Sequence, residues 1–585
     1  MTGRKLELGG RKKLWWLVRR PCPDHGLEIG TMSRPALSFL RPYLHQSARS
    51  IRPEHARVYL SIQRRFAQSI AADEYTGPHD VEKQKRLEQL KRAKPLDDYH
   101  PRLHRSPDVE SLSIRDFNAR YEGIQETKPE LVSVMGRVRS VRILSSKLVF
   151  LDIERDTQRL QIMVELKKLT PQDGTEDSYK SFKKTTRLGD WISVHGNPTR
   201  TSKGQLSVVA LDVPQILAPC LHHIPDTVDN AETLARRPHI HALTSDEPGD
   251  VLRLRALVYD YIRTYFISSG FLEVETPTFD VNAGGAIARP FETIANELSN
   301  TSVRLRIAPE LNLKRMIIGG QDKIFEIGRA FRNEGVDNTH NPEFSTCEFY
   351  EVGATLPDVI ARTEQLIHGL HTAVESLRST YFPTLAAPEV DFSGPFAQLP
   401  FIPTIEKESG RKLPDLLSPH ASNEILDMFK DLDISVPPNP TLPRLLDVLA
   451  EQYIEPLCVK PTFITHHPEA LSPLSKSYLD PATSQRVASR VELFINSREY
   501  VNAYEEENSP FEQRRKFMQQ LDFHVDGEGA MDESYLEALE WGMPPTGGWG
   551  CGLDRLVMLF ASKKRIADVL PFGTLRNVVS IAKTK

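Results

Sequence analysis

The stretch FRNEGVDNTHNPEFSTCEFYE, residues 331–351, decides how the rest of the chain is read. It holds Arg332, His340, an Asn-Pro turn and five acids, interleaved with Phe331, Phe344, Phe349 and Tyr350. Dense charge ordinarily marks a solvated face, yet aromatic rings at this frequency ask for burial. The segments KIFEIGRAFRNEG and EFSTCEFYEVG read as two strands with VDNTHNP as the turn between them. Side chains alternate along a strand, so Arg332 and Glu334 share one face, Phe331 and Asn333 the other. Phe344, Thr346, Glu348 and Tyr350 likewise lie together on the return strand. A guanidinium on such a surface matches a phosphate bidentately. The ring can stack on a purine, and the carboxylates can hold an ammonium group or a metal.

Outward from this window, 585 residues are too many for one core and predict two or three domains. With 39% hydrophobic and 26% charged residues the composition is that of a globular protein. A formal net charge of -4 excludes a generally basic nucleic-acid coat but leaves room for a local basic groove. Cys22, Cys220, Cys347, Cys458 and Cys551 are scattered and form no Cys-x-x-Cys pair. That argues against a disulfide framework and for a reducing compartment. No apolar run approaches the roughly 20 residues of a membrane-spanning helix, so a soluble protein is expected.

Residues 1–72 stand apart. From Met32 to Ala71 there are seven arginines and one acid, Glu54. Arg-rich and acid-poor is the composition of a mitochondrial transit peptide, and a disordered basic tail is the alternative. Residues 73–125 should be a helical segment, with Asp80–Lys94 as a charged helix capped by Asp80 and stopped by Pro95. Over 126–225 about five short strands alternate with turns, which suits a small OB-type barrel better than an immunoglobulin-like sandwich. Residues 226–250 read as a linker. The region 251–585 is mixed, with helices at Leu252–Ser268 and under the stripe Val359, Leu366, Leu370 and Val374. Tight turns between its strands predict an antiparallel sheet flanked by helices, for an α+β protein overall.

With these elements placed, FRNEGVDNTHNPEF resembles motif 2 of the class II aminoacyl-tRNA synthetases. GFLEVETP at 270–277 resembles motif 1, and GGWGCGLDRLVMLF at 547–560 resembles motif 3. The glycines of the last do not follow a parallel strand as Gly-x-Gly-x-x-Gly, which sets aside a dinucleotide-binding fold. A barrel before the catalytic domain resembles the subclass for lysine, aspartate and asparagine. An aspartate pocket needs cations and a lysine pocket needs carboxylates; RIAPELNLKR supplies Glu310, and NAYEEENSP supplies Asn502, Tyr504 and Glu506. CVKPTFITHHPEALSPLSK and NAGGAIARPFETIANEL are also similar to the lysine-specific members.

The resemblance implies roles. Arg332 and Arg555 would be catalytic. The ATP site would comprise Arg332, Glu334, His340, Phe344, Glu348, Gly552 and Arg555, with Phe344 and Arg555 sandwiching the adenine. Gly285, Glu310, Tyr350, Asn502, Tyr504 and Glu506 would enclose lysine, while Glu492 and Glu499 would hold Mg²⁺. Arg142, Phe150 and Gln161 would read the anticodon of a lysine tRNA, with Phe150 as barrel core the competing role. Arg137 and Arg139 would add charge for phosphates, whereas Arg498 and Glu505 read as solvated. The resemblance also implies a lysyl-adenylate intermediate and a homodimer through motif 1. Combined with the arginine-rich leader it implies the mitochondrial matrix, without membrane attachment. Two departures stand out: 226–250 lacks the expected Arg/Tyr-rich stretch, and NELSNTSVRLRIAPE is about one residue longer than the usual spacing.

Overall fold

A computed structural model describes residues 78–582 apart from 104–106, 108, 173, 229, 282–287, 299 and 523–530. Gly285 and the proposed leader, 1–72, therefore lie outside the described residues. The first helix runs Pro78–Ala93, so Asp80 lies within it and is not its cap, while Pro95 does follow its end. From Arg86 onward the chain forms one compact unit.

Five strands close the barrel: β1 (Val132–Ser145), β2 (Leu148–Arg155), β3 (Gln158–Glu165), β4 (Trp191–Arg200) and β5 (Leu206–Ala210). They pair in the circular order β1-β2-β3-β5-β4 and back to β1, antiparallel except for β3 with β5. Closure removes the exposed edges that a five-stranded sheet would otherwise carry. Alternation fills the inside with Val132, Val134 and Val138 from β1, Val149, Leu151 and Ile153 from β2, and Leu160, Ile162 and Val164 from β3. A helix at Thr175–Thr185, which the strand pattern did not announce, interrupts the barrel before β4. Arg86 braces its end: the guanidinium donates to Thr185 O and to both oxygens of Asp190, at 2.8 and 3.0 Å. The segment read as a linker contains two short helices, Ala231–Arg236 and Pro238–Thr244.

The large sheet has eight strands: β6 (Leu272–Glu273), β7 (Lys323–Phe331), β8 (Glu343–Val352), β9 (Ala397–Pro400), β10 (Thr462–Thr465), β11 (Arg490–Ile495), β12 (Arg498–Glu505) and β13 (Thr546–Gly552). Their spatial order is β9-β10-β11-β12-β13-β8-β7-β6. The six central strands are antiparallel as expected, but β9 and β6 join the two edges in parallel, so the sheet is mixed. Both edge strands are reached by connections too long for a hairpin, which permits either direction.

One face of this sheet is apolar. Cys347, Phe349, Val501, Ala503, Trp549 and Cys551 are buried there against α1 (Glu247–Ser268), α3 (Leu356–Tyr381) and α4 (Leu553–Phe560). Phe349 stacks on Trp549 at 5.3 Å, and Phe266 of α1 packs against both rings. The predicted stripe on α3 is core: Val359, Leu366, Ile367, Leu370 and Val374 are all buried. A second cluster of three helices within 401–453 is inserted between β9 and β10. Among the described residues no helix is long and apolar enough to cross a membrane.

Candidate active site

The opposite face of the sheet carries the polar groups, and strand register brings them into rows. Glu348 of β8 lies opposite Gly550 of β13, which lies opposite Asn502 of β12, which lies opposite Glu492 of β11. The next row is Tyr350, Gly548, Tyr504 and Arg490. Period-two alternation puts all eight on one side. Because β13 contributes only glycines to these rows, it forms a bare floor between two walls of functional side chains. At Gly548 that bareness is required, since a β-carbon there would fall on the Glu506 carboxylate and against the Tyr350 ring.

At one end of the floor is an acidic pocket. Glu310, in the first turn of α2 (Glu310–Ile318), accepts from Tyr504 Oη at 2.6 Å through Oε1. The same oxygen accepts from Lys314 Nζ at 2.6 Å, and Lys314 also ion-pairs with Glu506. Tyr350 Oη donates to Glu348 Oε2 at 3.3 Å. Burial, reinforced by repulsion from Glu310 and Glu326 and opposed by Arg332, pushes the Glu348 carboxyl up to about 8. It is therefore mostly protonated at neutral pH. Burial and the surrounding acids also keep the Tyr350 and Tyr504 hydroxyls protonated.

At the other end are the groups expected to meet a nucleotide. β7 ends at Phe331, so Arg332 lies just beyond the regular alternation. Its guanidinium sits 5.1 Å over the Phe344 ring, with Nε buried and unbonded among the described residues. Arg555 takes a different position: it donates to Glu499 O at 2.8 Å and meets His340 Nε2 at 2.9 Å. His340 Nδ1 is 2.8 Å from Asp337 Oδ2, and Asp337 Oδ1 closes the turn by accepting from the Thr339 and His340 amides. Burial would raise the Asp337 carboxyl, but these donors hold it at about 2. Glu334 is exposed, its amide bonded to Arg332 O at 2.8 Å, and Gly552 leads into α4.

Glu492 and Glu499 reach the site face by different routes. Glu492 follows the alternation and is held by Arg490 and His467, the latter at 3.0 Å. Glu499 would share the apolar face with Val501 and Ala503, but the β11–β12 register shifts so that Phe494 pairs with Glu499. This bulge turns Glu499 toward the site. Burial disfavours the charge on Glu492, while Arg490 and His467 outweigh it and lower the carboxyl overall. Two hard carboxylate donors on one face fit an ion such as Mg²⁺, which needs only one or two protein carboxylates when phosphates complete its shell. Glu492 stands three strand spacings from Glu348 and Glu499 two, about 14 and about 10 Å, so this pair and the acidic pocket occupy different parts of the floor.

Several residues with structural leverage on the site escaped the sequence reading. Asp554 receives Arg255 at 2.6 Å and the Ser345 amide at 2.8 Å, locking α4 and α1 onto β8. Glu326 receives Thr276 Oγ1 at 2.7 Å and ion-pairs with Arg306, joining the motif 1 segment to β7. Arg490 donates to Asn502 Oδ1 at 3.0 Å. Glu505 is not merely solvated: its Oε1 caps α3 by accepting the Leu356 amide at 2.9 Å. Each is an ordinary charged residue in the sequence, and only tertiary placement distinguishes it.

In the barrel, Phe150 is half-buried on the outer face between buried Val149 and Leu151, so it is not core. It pairs across the strands with Arg142 and Met163, and Gln161 lies next along that face opposite Asp152. Arg142 and Gln161 line a groove of about 660 Å³ together with Arg139, Arg159 and Gln205. Arg139 pairs with Glu154, and Arg137 lies 5.4 Å over the Trp191 ring and donates to Gly189 O at 3.1 Å.

Residues 230–576 match the family model of class II tRNA synthetases (D, K and N), and 132–216 match that of the OB-fold nucleic acid binding domain. The chain belongs to the class II tRNA synthetases. Within 483 aligned residues it is 35% identical to a lysine–tRNA ligase of Cladosporium cladosporioides, covering 79% of this chain and 80% of that protein. The mitochondrial lysine–tRNA ligase of Schizosaccharomyces pombe is 37% identical over 77% of this chain and 86% of its own. The corresponding Saccharomyces cerevisiae mitochondrial protein is 35% identical, over 83% and 91%. Within the class, then, the family is that of the lysine–tRNA ligases.

Proposed function

We propose that the chain joins L-lysine to a lysine-accepting tRNA in two ATP-driven steps on the glycine-floored face of the large sheet. The observation that carries this reading is the acidic pocket, where Glu310, Glu348 and Glu506 converge with two tyrosine hydroxyls at one end of the floor. A cationic side chain is the ligand such a pocket suits. Glu310, Tyr350, Asn502, Tyr504 and Glu506, with Gly285, hold lysine so that its carboxylate faces the nucleotide end. That carboxylate attacks the α-phosphorus of ATP, the bond to pyrophosphate breaks, and lysyl-adenylate remains. The terminal ribose 3′-hydroxyl of the tRNA then takes the lysyl group and AMP leaves.

Arg332, Arg555, Glu334, His340, Phe344 and Gly552 make the ATP site, and Glu348, which feels both Glu310 and Arg332, borders it and the acidic pocket. Arg332 places a guanidinium beside the α-phosphate, where charge develops. Phe344 offers a face for the adenine, and Arg555 is anchored by Glu499 O and His340 to close over it. Glu492 and Glu499 would hold Mg²⁺, which neutralises triphosphate charge when bound. No side-chain nucleophile is needed, because orientation and charge neutralisation supply the catalysis.

The outer barrel face with Arg142, Phe150 and Gln161 takes the anticodon bases. Exposed Phe279, Ile294 and Leu298, close to motif 1, support a homodimer through that edge. The arginine-rich composition of 32–71 and the yeast relatives named mitochondrial support action in the mitochondrial matrix, with 1–72 as leader. Residues 73–125, 126–225 and 251–585 then act as helical segment, anticodon module and catalytic domain, joined through 226–250.

ATP–pyrophosphate exchange by the purified chain tests the core of this reading. Lysine should support exchange and aspartate should not. Glu506→Gln should weaken lysine use by about 2 kcal/mol or more. Unchanged lysine kinetics in that variant would remove Glu506 from the pocket.

A further inference from the structure

Lys314 has no role in the reading above, yet it lies between two of the carboxylates assigned to lysine. Its Nζ donates to Glu310 at 2.6 Å and ion-pairs with Glu506, and it stands 5.5 Å from the centroid of the Tyr504 ring. Lys314 and Glu506 are both fully buried, at 0% side-chain exposure. Glu310 and Lys314 are four residues apart on α2, an arrangement usually found on solvated helix faces. Here the pair is inside the protein and reaches across to the end of a different element. As a stabilising device a buried triad of this kind is inefficient, because desolvation offsets most of the Coulomb attraction.

The charge count suggests another use. Glu310, Glu348 and Glu506 bring three carboxyl groups into one pocket, and among the described residues Lys314 is the ammonium between them; burial pushes the Glu506 carboxyl up and Lys314 opposes it. Glu506 is pressed against the backbone of β13 at Gly548, and among the described residues both its oxygens lack a hydrogen-bond partner of good geometry, so the Lys314 ion pair is the main neutralising contact found there. Burial favours neutral Lys314, but Glu310 and Glu506 override it and keep the ammonium charged.

We propose that Lys314 is a positioning residue for the amino-acid substrate: it fixes Glu310 and Glu506 in place by pairing with both, while leaving the pocket acidic enough to take a ligand bearing a side-chain ammonium. This rests on the reading of the pocket as the lysine site. Lys314 does not touch the reacting atoms; it acts through the two glutamates.

Steady-state exchange kinetics of Lys314→Gln and Lys314→Met, alone and combined with Glu506→Gln, test it. The glutamine variant keeps a hydrogen-bond donor and so remains informative should the methionine variant fail to fold. The lysine KM should rise at least about tenfold, with kcat and the ATP KM changing less than about threefold. On the Glu506→Gln background the same substitution should raise the lysine KM by a smaller factor than in the unmodified protein, since the part of its effect that passes through Glu506 is gone. A lysine KM unchanged in the single variant overturns the proposal. So does a parallel rise in both KM values, which marks a merely structural brace, or an equal effect on both backgrounds. Absence of lysine-dependent exchange in the unmodified protein would instead refute the lysine reading itself.

Discussion

Glu348 shows how burial can prepare a single residue for a charged ligand. Its carboxyl is raised to about 8, by burial first and by Glu310 and Glu326 next. A carboxyl raised on folding contributes stability that is fully present below its unfolded value near 4.5 and is lost as pH rises through about 8. An ammonium ligand reverses the balance by favouring the ionised form. Lysine binding at pH 7 should therefore release close to one proton. Titration calorimetry in buffers of different ionisation heat measures this, and Glu348→Gln should abolish the release. Proton uptake, or none, in the unmodified protein would mean that Glu348 does not meet the ammonium. Glu348 was legible because it alternates with Phe344, Thr346 and Tyr350 on one strand. Lys314 was not, since a Glu and Lys four apart on a helix are ordinarily a surface pair.

At the level of elements, β8 and β12 obey simple alternation, and that is why Phe344, Thr346, Glu348 and Tyr350, and Asn502 with Tyr504, could be assigned a common face from sequence. The alternation fails where the hydrogen-bond ladder does. Glu499 has the parity of Val501, and only the register shift at Leu493/Phe494 brings it to the site. No local sequence signal marks that bulge. The helix Thr175–Thr185 and the insertion within 401–453 escaped for a related reason: their apolar faces find partners only in the assembled fold. The α4 helix depends on Asp554, whose two oxygens satisfy Arg255 and the Ser345 amide. Asp554→Ala should cost about 3–5 kcal/mol, because it leaves a guanidinium uncompensated in the interior. Urea unfolding would report the loss. An unchanged midpoint would show that water replaces the carboxylate at little cost.

Across the whole molecule, the barrel face and the sheet face are built from separate strands and separate cores. The two halves of the reaction should then fail independently. Phe150→Ala should remove about 1–3 kcal/mol of base stacking and impair tRNA charging, while lysine-dependent exchange stays intact. Equal loss in both assays would mean that Phe150 supports the fold. The order of modules was readable along the chain because strand-rich, linker-like and mixed regions differ in composition, whereas the parallel edge strands were not, since their long connections carry no directional signal. The two-faced central sheet constrains how such a chain can diverge. Each of β8, β12 and β13 commits alternate residues to chemistry and the rest to the apolar interior, so substitution at one parity can alter specificity without touching the other. Gain or loss of one residue within a strand would exchange the two sets together, placing Phe349 and Trp549 in the site and Glu348 in the oil. Insertions and deletions should therefore accumulate in the connections, while the lengths of these three strands hold fixed as their side chains change.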